Sequence, residues 1–339
     1  MKALVTGGMG LIGHNVVQKL VRDHNITTTV IDNLTNYNNA VSMKELGYLF
    51  GERLKELQKL PPSHLSLNYL HKDINNQLDL DSCFNFNKPN VVYHLACPPR
   101  QKVVQHNPGM NSITMTSGLL NVLAMCVKYE VQRIVYISSS MVYGDFNDMV
   151  TEDAECHPQG EYGILKLAGE ALVKDYYRKY GLEYTIIRPS AVYGPTDLSD
   201  RVISKFLLNA MGKGELQVNG ENETLDFTYV DDAATGIVLA GLNENSINNT
   251  YNITKSHSKT IRAAAELAVS IVGSGTVNVR EKDADFPSRG ALNITRAKED
   301  FGYDPKVDIE EGFSIYYDWL KNSVYWDSKT IRKFTERTA

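Results

Sequence analysis

Short apolar runs alternate with helically spaced segments along the first half of this chain, and that alternation limits its fold more than any other feature. Residues 2–6 are apolar and end at Gly7; residues 11–22 carry apolar side chains at 11, 12, 16, 17, 20 and 21, a helical spacing. The β-branched run 27–31, the weaker run 65–70, and the runs 90–96 ("NVVYHLA"), 133–138 ("RIVYIS") and 184–188 ("YTIIR") read as further strands. Residues 113–129 and 160–180 read as helices between them. Strand–helix alternation of this kind predicts an α/β fold: a doubly wound parallel sheet covered on both faces.

After Pro189 the alternation loosens. The segments 190–225 and 255–325 hold more Gly, Pro and charge, and read as a smaller substrate-binding lobe. Between them 226–254 ("FTYVDDAATGIVLAGL" and "TYNIT") reads as a helix and strand returning to the sheet. The expected organisation is therefore a nucleotide-binding domain over 1–189 with 226–254, a lobe from the two later segments, and a C-terminal tail over 326–339. Residues 33–62 form a long insertion with helical pattern in its later half.

A formal net charge of -5 over 339 residues argues against a general nucleic-acid surface, while leaving room for a local Arg and Lys pocket. The four cysteines show no metal-type spacing and no CxxC, so no metal is expected. They read as reduced thiols of a cytoplasmic protein. No apolar run in the sequence suggests a membrane span. The N-terminus reads as a strand rather than a signal peptide.

"VTGGMGLIG" spaces Gly7, Gly10 and Gly13 as G-x-x-G-x-x-G between a strand and a helix. Gly7 allows the tight turn, Gly10 lets backbone N–H groups approach a pyrophosphate, and Gly13 lets the helix pack close to the sheet. Leu11 and Ile12 open that helix and are counted with the cofactor site. This is the pattern of a Rossmann-type dinucleotide site, although a lone Gly pattern also fits a plain turn. Asp32 ends the second strand, 19 residues after Gly13. A carboxylate there can accept from both ribose hydroxyls and repels a 2′-phosphate, and Asn33 rather than Arg follows it. NAD is the expected cofactor.

Tyr162 and Lys166 stand four apart on a helix and share a face. A free phenol has a pKa of about 10; a nearby ammonium stabilises phenolate and lowers it. With a Ser hydroxyl opposite, the trio can move a proton on or off a sugar alcohol. Taken alone, Tyr-x-x-x-Lys is equally an amphipathic surface pair.

Together "TGGMGLIG", "IDN", "KDI", "YHLA", "SSSMVYG", "YGILK", "RPSAVYGP" and "DFTYVDD", in this order, resemble the extended short-chain dehydrogenase/reductase family. Within it they resemble the branch of NAD-dependent nucleotide-sugar epimerases and dehydratases, of the UDP-glucose/UDP-galactose 4-epimerase kind. The resemblance implies that Asp73 and Ile74 lie beside the adenine and that Leu95 and Ala96 line the cofactor. It implies that Lys166 also bonds the nicotinamide ribose, that Ser139 is the catalytic hydroxyl with Ser138 and Ser140 as neighbours, and that Pro189 and Ser190 pass the nicotinamide. Ser140, Ser190, Arg201, Lys205 and Arg289 (in "FPSRGALN") become candidate substrate contacts. Asn111 and Asn121 fall on asparagines expected to be structural, and His94 and Cys97 are expected to pack. Two positions depart from the family: Ser190 stands where Asn is frequent, and Leu225 where an Arg meeting the diphosphate is common.

The branch oxidises a sugar hydroxyl and then diverges. Its dehydratases and sugar-acid decarboxylases carry carboxylates just after the catalytic hydroxyl. Here those positions are Ser140 and Met141, and Met transfers no proton. A reductase would consume NADPH, which Asp32 disfavours. The expected function is a nucleotide-sugar epimerase acting on a nucleotide-diphosphate sugar, at C4 by resemblance. A 4,6-dehydratase or 4-keto reductase is the alternative, and a catalytically silent NAD-binding regulator the alternative of another class. The helices 113–129 and 161–180 are the family's pairing surface, so a homodimer is expected.

Overall fold

A computed structural model describes residues 1–35, 41–283 and 286–338; residues 36–40 of the expected insertion lie outside them. The first half runs β1 (Lys2–Thr6), α1 (Leu11–Arg22), β2 (Thr27–Asp32), α2 (Met43–Gln58), β3 (Leu65–Leu70), α3 (Gln77–Asn87), β4 (Val91–His94), α4 (Gln101–His106), α5 (Pro108–Ile113), α6 (Leu119–Lys128), β5 (Arg133–Ile137), α7 (Gly160–Tyr180) and β6 (Glu183–Pro189). Then come β7 (Val192–Tyr193), α8 (Val202–Met211), β8 (Glu215–Asn219), β9 (Thr224–Asp226), β10 (Thr228–Tyr229), α9 (Val230–Leu242) and β11 (Asn249–Ile253). The chain closes with β12 (Ser258–Thr260), α10 (Ile261–Val272), β13 (Thr276–Arg280), α11 (Thr295–Phe301), α12 (Ile309–Lys321) and α13 (Ser328–Thr338).

Seven strands form one parallel sheet in the order β11-β6-β5-β4-β1-β2-β3. The order reverses direction between β4 and β1, where Thr6 stands opposite Ile31 on one side and His94 on the other. In a doubly wound sheet the crevice beyond the C-terminal strand ends at this point is where a nucleotide binds. Leu4, Val5, Val30, Val92 and Val135 are wholly buried, as strands covered on both faces require. Helix α1 seats Val16, Val17, Leu20 and Val21 in the core. Burying each such side chain stabilises by about 1.5–3 kcal/mol, which holds the Gly-rich turn before α1 against the sheet.

The expected helix 113–129 differs in form. Helix α6 begins at Leu119, and Thr114–Gly118 form a single π turn that joins it to α5. Thr116 donates its hydroxyl to the Ser112 carbonyl at 2.7 Å, a side chain inserted into the ladder where the helix widens. The joined helix Pro108–Lys128 has the length and apolarity of a membrane span, a feature the sequence reading did not anticipate. Here its residues Leu119, Val122, Leu123 and Cys126 are wholly buried in one layer with β4 and β5.

Beyond the sheet, β8 pairs with β13, β9 with β12, and β7 with β10. Helices α8, α10, α12 and α13 share a second cluster centred on Phe206, Leu207, Ala265, Phe313 and Phe334. The 326–339 segment, set apart as a tail, is helical over Ser328–Thr338 and buries Ile331 and Phe334 in that cluster.

Candidate active site

Two adjoining regions hold the expected residues. At the switch point, Gly7 has φ +69°, and a Cβ there would sit 2.7 Å from the Ala96 nitrogen. A Cβ on Gly13 would sit 2.1 Å from the Gly7 carbonyl oxygen, so only glycine lets α1 cross the turn this closely. Gly10 is the N-cap of α1 and supplies no side-chain cap. The first N–H groups of the helix, at Leu11 and Ile12, are therefore open to an anion.

Asp32 is buried at the tip of β2, where Met9 and Leu34 donate backbone N–H to its two oxygens at 2.9 and 2.8 Å. Burial raises its pKa; those two bonds and the Arg53 guanidinium pull it back part of the way. Arg53, on α2, donates to the Met9 carbonyl at 2.7 Å and to the Thr196 carbonyl at 2.5 Å. It braces the Gly turn against the later lobe, and the sequence reading passed over it. Asn33 donates its amide to Asp73 at 3.0 Å, and Asp73 accepts from the Asn75 N–H at 2.8 Å. Ile74 is buried against Gly118. Leu95 and Ala96 follow β4 and wall the turn at Gly7. An uncapped helix start, a cradle that any Cβ would fill and a fixed carboxylate fit the pyrophosphate and ribose of a dinucleotide.

The second region lies over the ends of β5 and β6. Ser139 caps the short turn Ser140–Val142, its Oγ accepting the Met141 N–H at 3.2 Å. The Tyr162 phenol faces the Ser139 hydroxyl. Lys166 donates to the Ile137 carbonyl at 2.6 Å, with Nζ 5.8 Å from the Tyr162 ring centre. Burial raises the Tyr162 pKa, opposed by the Lys166 ammonium and the Ser139 hydroxyl. Burial alone would lower Lys166, but the Cys97 thiol and the Tyr136 and Tyr162 phenols outweigh it and hold the ammonium charged. Ser140 donates to Ser190 Oγ at 3.2 Å, so these two hydroxyls engage each other. Ser138 points elsewhere: it donates to Glu170 at 2.6 Å, and Glu170 is in turn bidentate with Arg188 at 2.9 and 2.7 Å.

A cavity of about 570 Å³ opens from Ser139 and Tyr162 into the lobe, lined by Pro189, Arg201, Lys205, Leu225 and Arg289 among others. Arg289 Nε is buried there with no hydrogen-bond partner, and burial lowers the guanidinium to about 10. Arg201 pairs with Asp197 at 3.7 Å. Burial, together with Arg100 and Lys102, lowers Lys205. Leu225 is 8% exposed and packs in the lobe cluster, so no charge occupies that position.

Asn121 donates to the Ile74 and Asn75 carbonyls and Asn111 to those of Val103 and Asn107. His94 is paired with Thr6 at 2.9 Å, with burial lowering it to about 3. Cys97 packs beside Tyr162 in a small apolar cluster. The sequence reading missed Arg100, Gln101, Asp197 and Asp200, all of which except buried Gln101 are charged, and all of which line the cavity. The basic stretch "RQK" just after the fourth strand was the available signal, since loops leaving the strand C-termini face the crevice.

The profile of the family described as the NAD dependent epimerase/dehydratase family matches residues 3–254. A Methanocaldococcus jannaschii chain provisionally named a UDP-glucose 4-epimerase is 30% identical, over 94% of this chain and 98% of its own. The UDP-glucuronic acid decarboxylase 1 of Arabidopsis thaliana is 29% identical, over 96% of this chain and 71% of its own. The crystal structure of the Bacillus cereus UDP-glucuronic acid 4-epimerase, in complex with UDP-glucuronic acid and NAD, superimposes with a TM-score of 0.85 at 27% identity. That alignment covers 95% of this chain and 99% of the other.

Proposed function

The chain belongs to the NAD dependent epimerase/dehydratase family, and on that premise we propose that it inverts C4 of a nucleotide-diphosphate sugar by transient oxidation and re-reduction. One observation carries this reading: Ser139, Tyr162 and Lys166 converge at the end of β5, and the side chains after Ser139 are Ser140 and Met141. Elimination or decarboxylation chemistry of the branch would call for a carboxylate there.

When bound, NAD supplies the hydride acceptor and donor, and its oxidised ring adds positive charge at this end of the sheet. Gly7, Gly10, Gly13 and Asp32 would hold it, with Leu11 and Ile12 at the pyrophosphate and Lys166 reaching the nicotinamide ribose. The Tyr162 phenolate takes the proton from the C4 hydroxyl while Ser139 holds the same oxygen. Lys166, fixed by the Ile137 carbonyl, stabilises the phenolate that burial alone would disfavour. Inversion then needs the ketone to present its other face while the diphosphate stays held. Arg289, Lys205 and Arg201 are the groups we assign to that hold. Exposed Met110, Ile113 and Leu120, and exposed Ile164 on α7, give the helical face through which the chain would pair as a homodimer. The four free thiols fit a cytoplasmic location.

Proton NMR of the NAD-loaded protein with UDP-glucose, UDP-glucuronic acid and GDP-, CDP- and dTDP-sugars tests the reading. A C4 epimer that keeps deuterium placed at C4 is the expected product. A 4-keto-6-deoxy product would mean a dehydratase, and carbon dioxide from the uronic acid a decarboxylase. No turnover of any sugar with NAD bound would mean a regulator.

A further inference from the structure

Helix α7 carries both Tyr162 and Lys166, yet its own N-cap residue, Gln159, provides no side-chain cap. The missing cap comes from another element. Gln101, the first residue of α4 and 1% exposed, accepts the Tyr162 N–H on Oε1 at 3.0 Å. Tyr162 is the third residue of α7, where a capping side chain ordinarily takes its hydrogen bond. The same amide donates through Nε2 to Glu161 Oε2 at 3.0 Å. Gly160 has φ +72°, and a Cβ there would lie 2.0 Å from Gln101 Nε2, so the chain leaves room for this side chain at the helix start.

The residues on either side of Gln101 reach the other way. Arg100 donates to the Asp200 carbonyl at 3.0 Å and pairs with the Asp200 carboxylate. Lys102 pairs with Asp283 at 3.2 Å and lies over the Phe286 ring at 5.2 Å. Asp200, Asp283 and Phe286 belong to the lobe and line the substrate cavity. Three consecutive side chains thus tie the lobe wall, on one side, to the backbone of the reactive tyrosine on the other.

We propose that Gln101 is a positioning residue for Tyr162: it fixes the first turn of α7, and through Arg100 and Lys102 the grip of the lobe on substrate reaches the phenol. Rotating that first turn moves the phenol relative to Ser139 and Lys166 without disturbing the Gly turn where the cofactor sits. Proton transfer is steeply sensitive to such displacement. The inference rests on the epimerase reading, and wild-type turnover in the same NMR assay separates the two: a wild type that turns over no sugar sinks the function, not this device alone.

The test uses NAD-loaded full chain. Gln101→Ala is expected to lower kcat about 10- to 50-fold and to move the acidic limb of the pH–rate profile, where the phenol must lose its proton to act as base, because the Tyr162–Lys166 geometry changes. The KM for the nucleotide sugar and the Kd for NAD should stay within about threefold. The reciprocal exchange Gln101→Glu with Glu161→Gln keeps an acceptor for the Tyr162 N–H and reverses the amide–carboxylate pair; it should recover most of kcat. If Gln101→Ala does not fold, Gln101→Asn, one methylene too short for both bonds, takes its place with the same expectation. Wild-type kcat and pH profile in a folded variant would overturn the proposal. So would parallel losses of kcat, sugar affinity and NAD affinity, or a failure of the reciprocal exchange to restore kcat.

Discussion

The crevice at the switch point and the cavity facing the lobe are built in opposite ways. The crevice is made of backbone: a turn at Gly7, an uncapped helix start at Gly10, and one carboxylate whose two oxygens are already held by N–H groups. The lobe cavity is lined by side chains from many elements, with charged residues such as Arg201, Lys205 and Arg289 set among apolar ones such as Ile203, Phe206 and Leu225. It contains buried polar atoms without hydrogen-bond partners, among them Arg100 Nε, Arg289 Nε and Asp200 Oδ1. A backbone site is complete before its ligand arrives and admits one ligand shape. Unpartnered buried donors cost free energy until something pairs with them, so the two guanidinium nitrogens have stability to gain from an anionic ligand. On the proposed reading, cofactor selection belongs to the crevice and substrate selection to the cavity. Tyr162, between them, should affect neither affinity.

The sharpest break between the regions is at that tyrosine. Tyr162→Phe keeps the packing and removes the proton acceptor, so kcat should fall about 10²- to 10⁴-fold, with both affinities nearly unchanged by titration calorimetry. Gly13→Ala strikes the crevice alone. Its Cβ would meet the Gly7 oxygen and Gly8 Cα, both backbone. We expect a cost near the upper end of about 1–3 kcal/mol for overpacking, read as a lowered Tm that NAD no longer raises. Arg289→Met strikes the cavity alone. Losing a charge-assisted contact costs about 1.5–3 kcal/mol, so the KM for the nucleotide sugar should rise roughly 10- to 150-fold with the NAD Kd intact. Equal loss of both would erase the division between the regions. The smallest effect should come from Asp32→Ala, which removes acceptors for the ribose and the repulsion of a 2′-phosphate together. Selectivity for NAD over NADP should fall about tenfold, or about 1.4 kcal/mol. An unchanged ratio of the two dissociation constants would remove Asp32 from cofactor choice.

The same contrast explains what could be read in advance. Gly7, Gly10, Gly13 and Asp32 sit within one strand–turn–helix–strand unit, so spacing alone placed them. Tyr162 and Lys166 share one helix, and the i, i+4 rule put them together. Arg289 was reached only by resemblance, since Tyr162, Arg201 and Glu223, which act on it in the cavity, lie on separate elements far from it in sequence. Gln101 carried no signal as a cap, because caps are sought in the residue before a helix and this one is supplied from a separate helix. The π turn at Thr114–Gly118 escaped the pattern because a widened turn leaves hydrophobic spacing almost unchanged.

By itself the sequence determined the strand and helix alternation, the glycines that no other residue can replace at the switch point, and the chemical kinds of side chain available for proton transfer. Those follow from local sterics and periodicity, which a chain carries wherever it goes. Resemblance pointed to Ser139 among the three serines, and the tertiary structure supplies the physical reason. Ser138 is turned away by the buried Glu170–Arg188 pair, Ser140 by Ser190, and Ser139 is left at the phenol. The tertiary structure alone decided that Arg289 keeps an unpaired nitrogen in the cavity while Arg188 does not, because partnership inside a protein depends on which distant segments pack together.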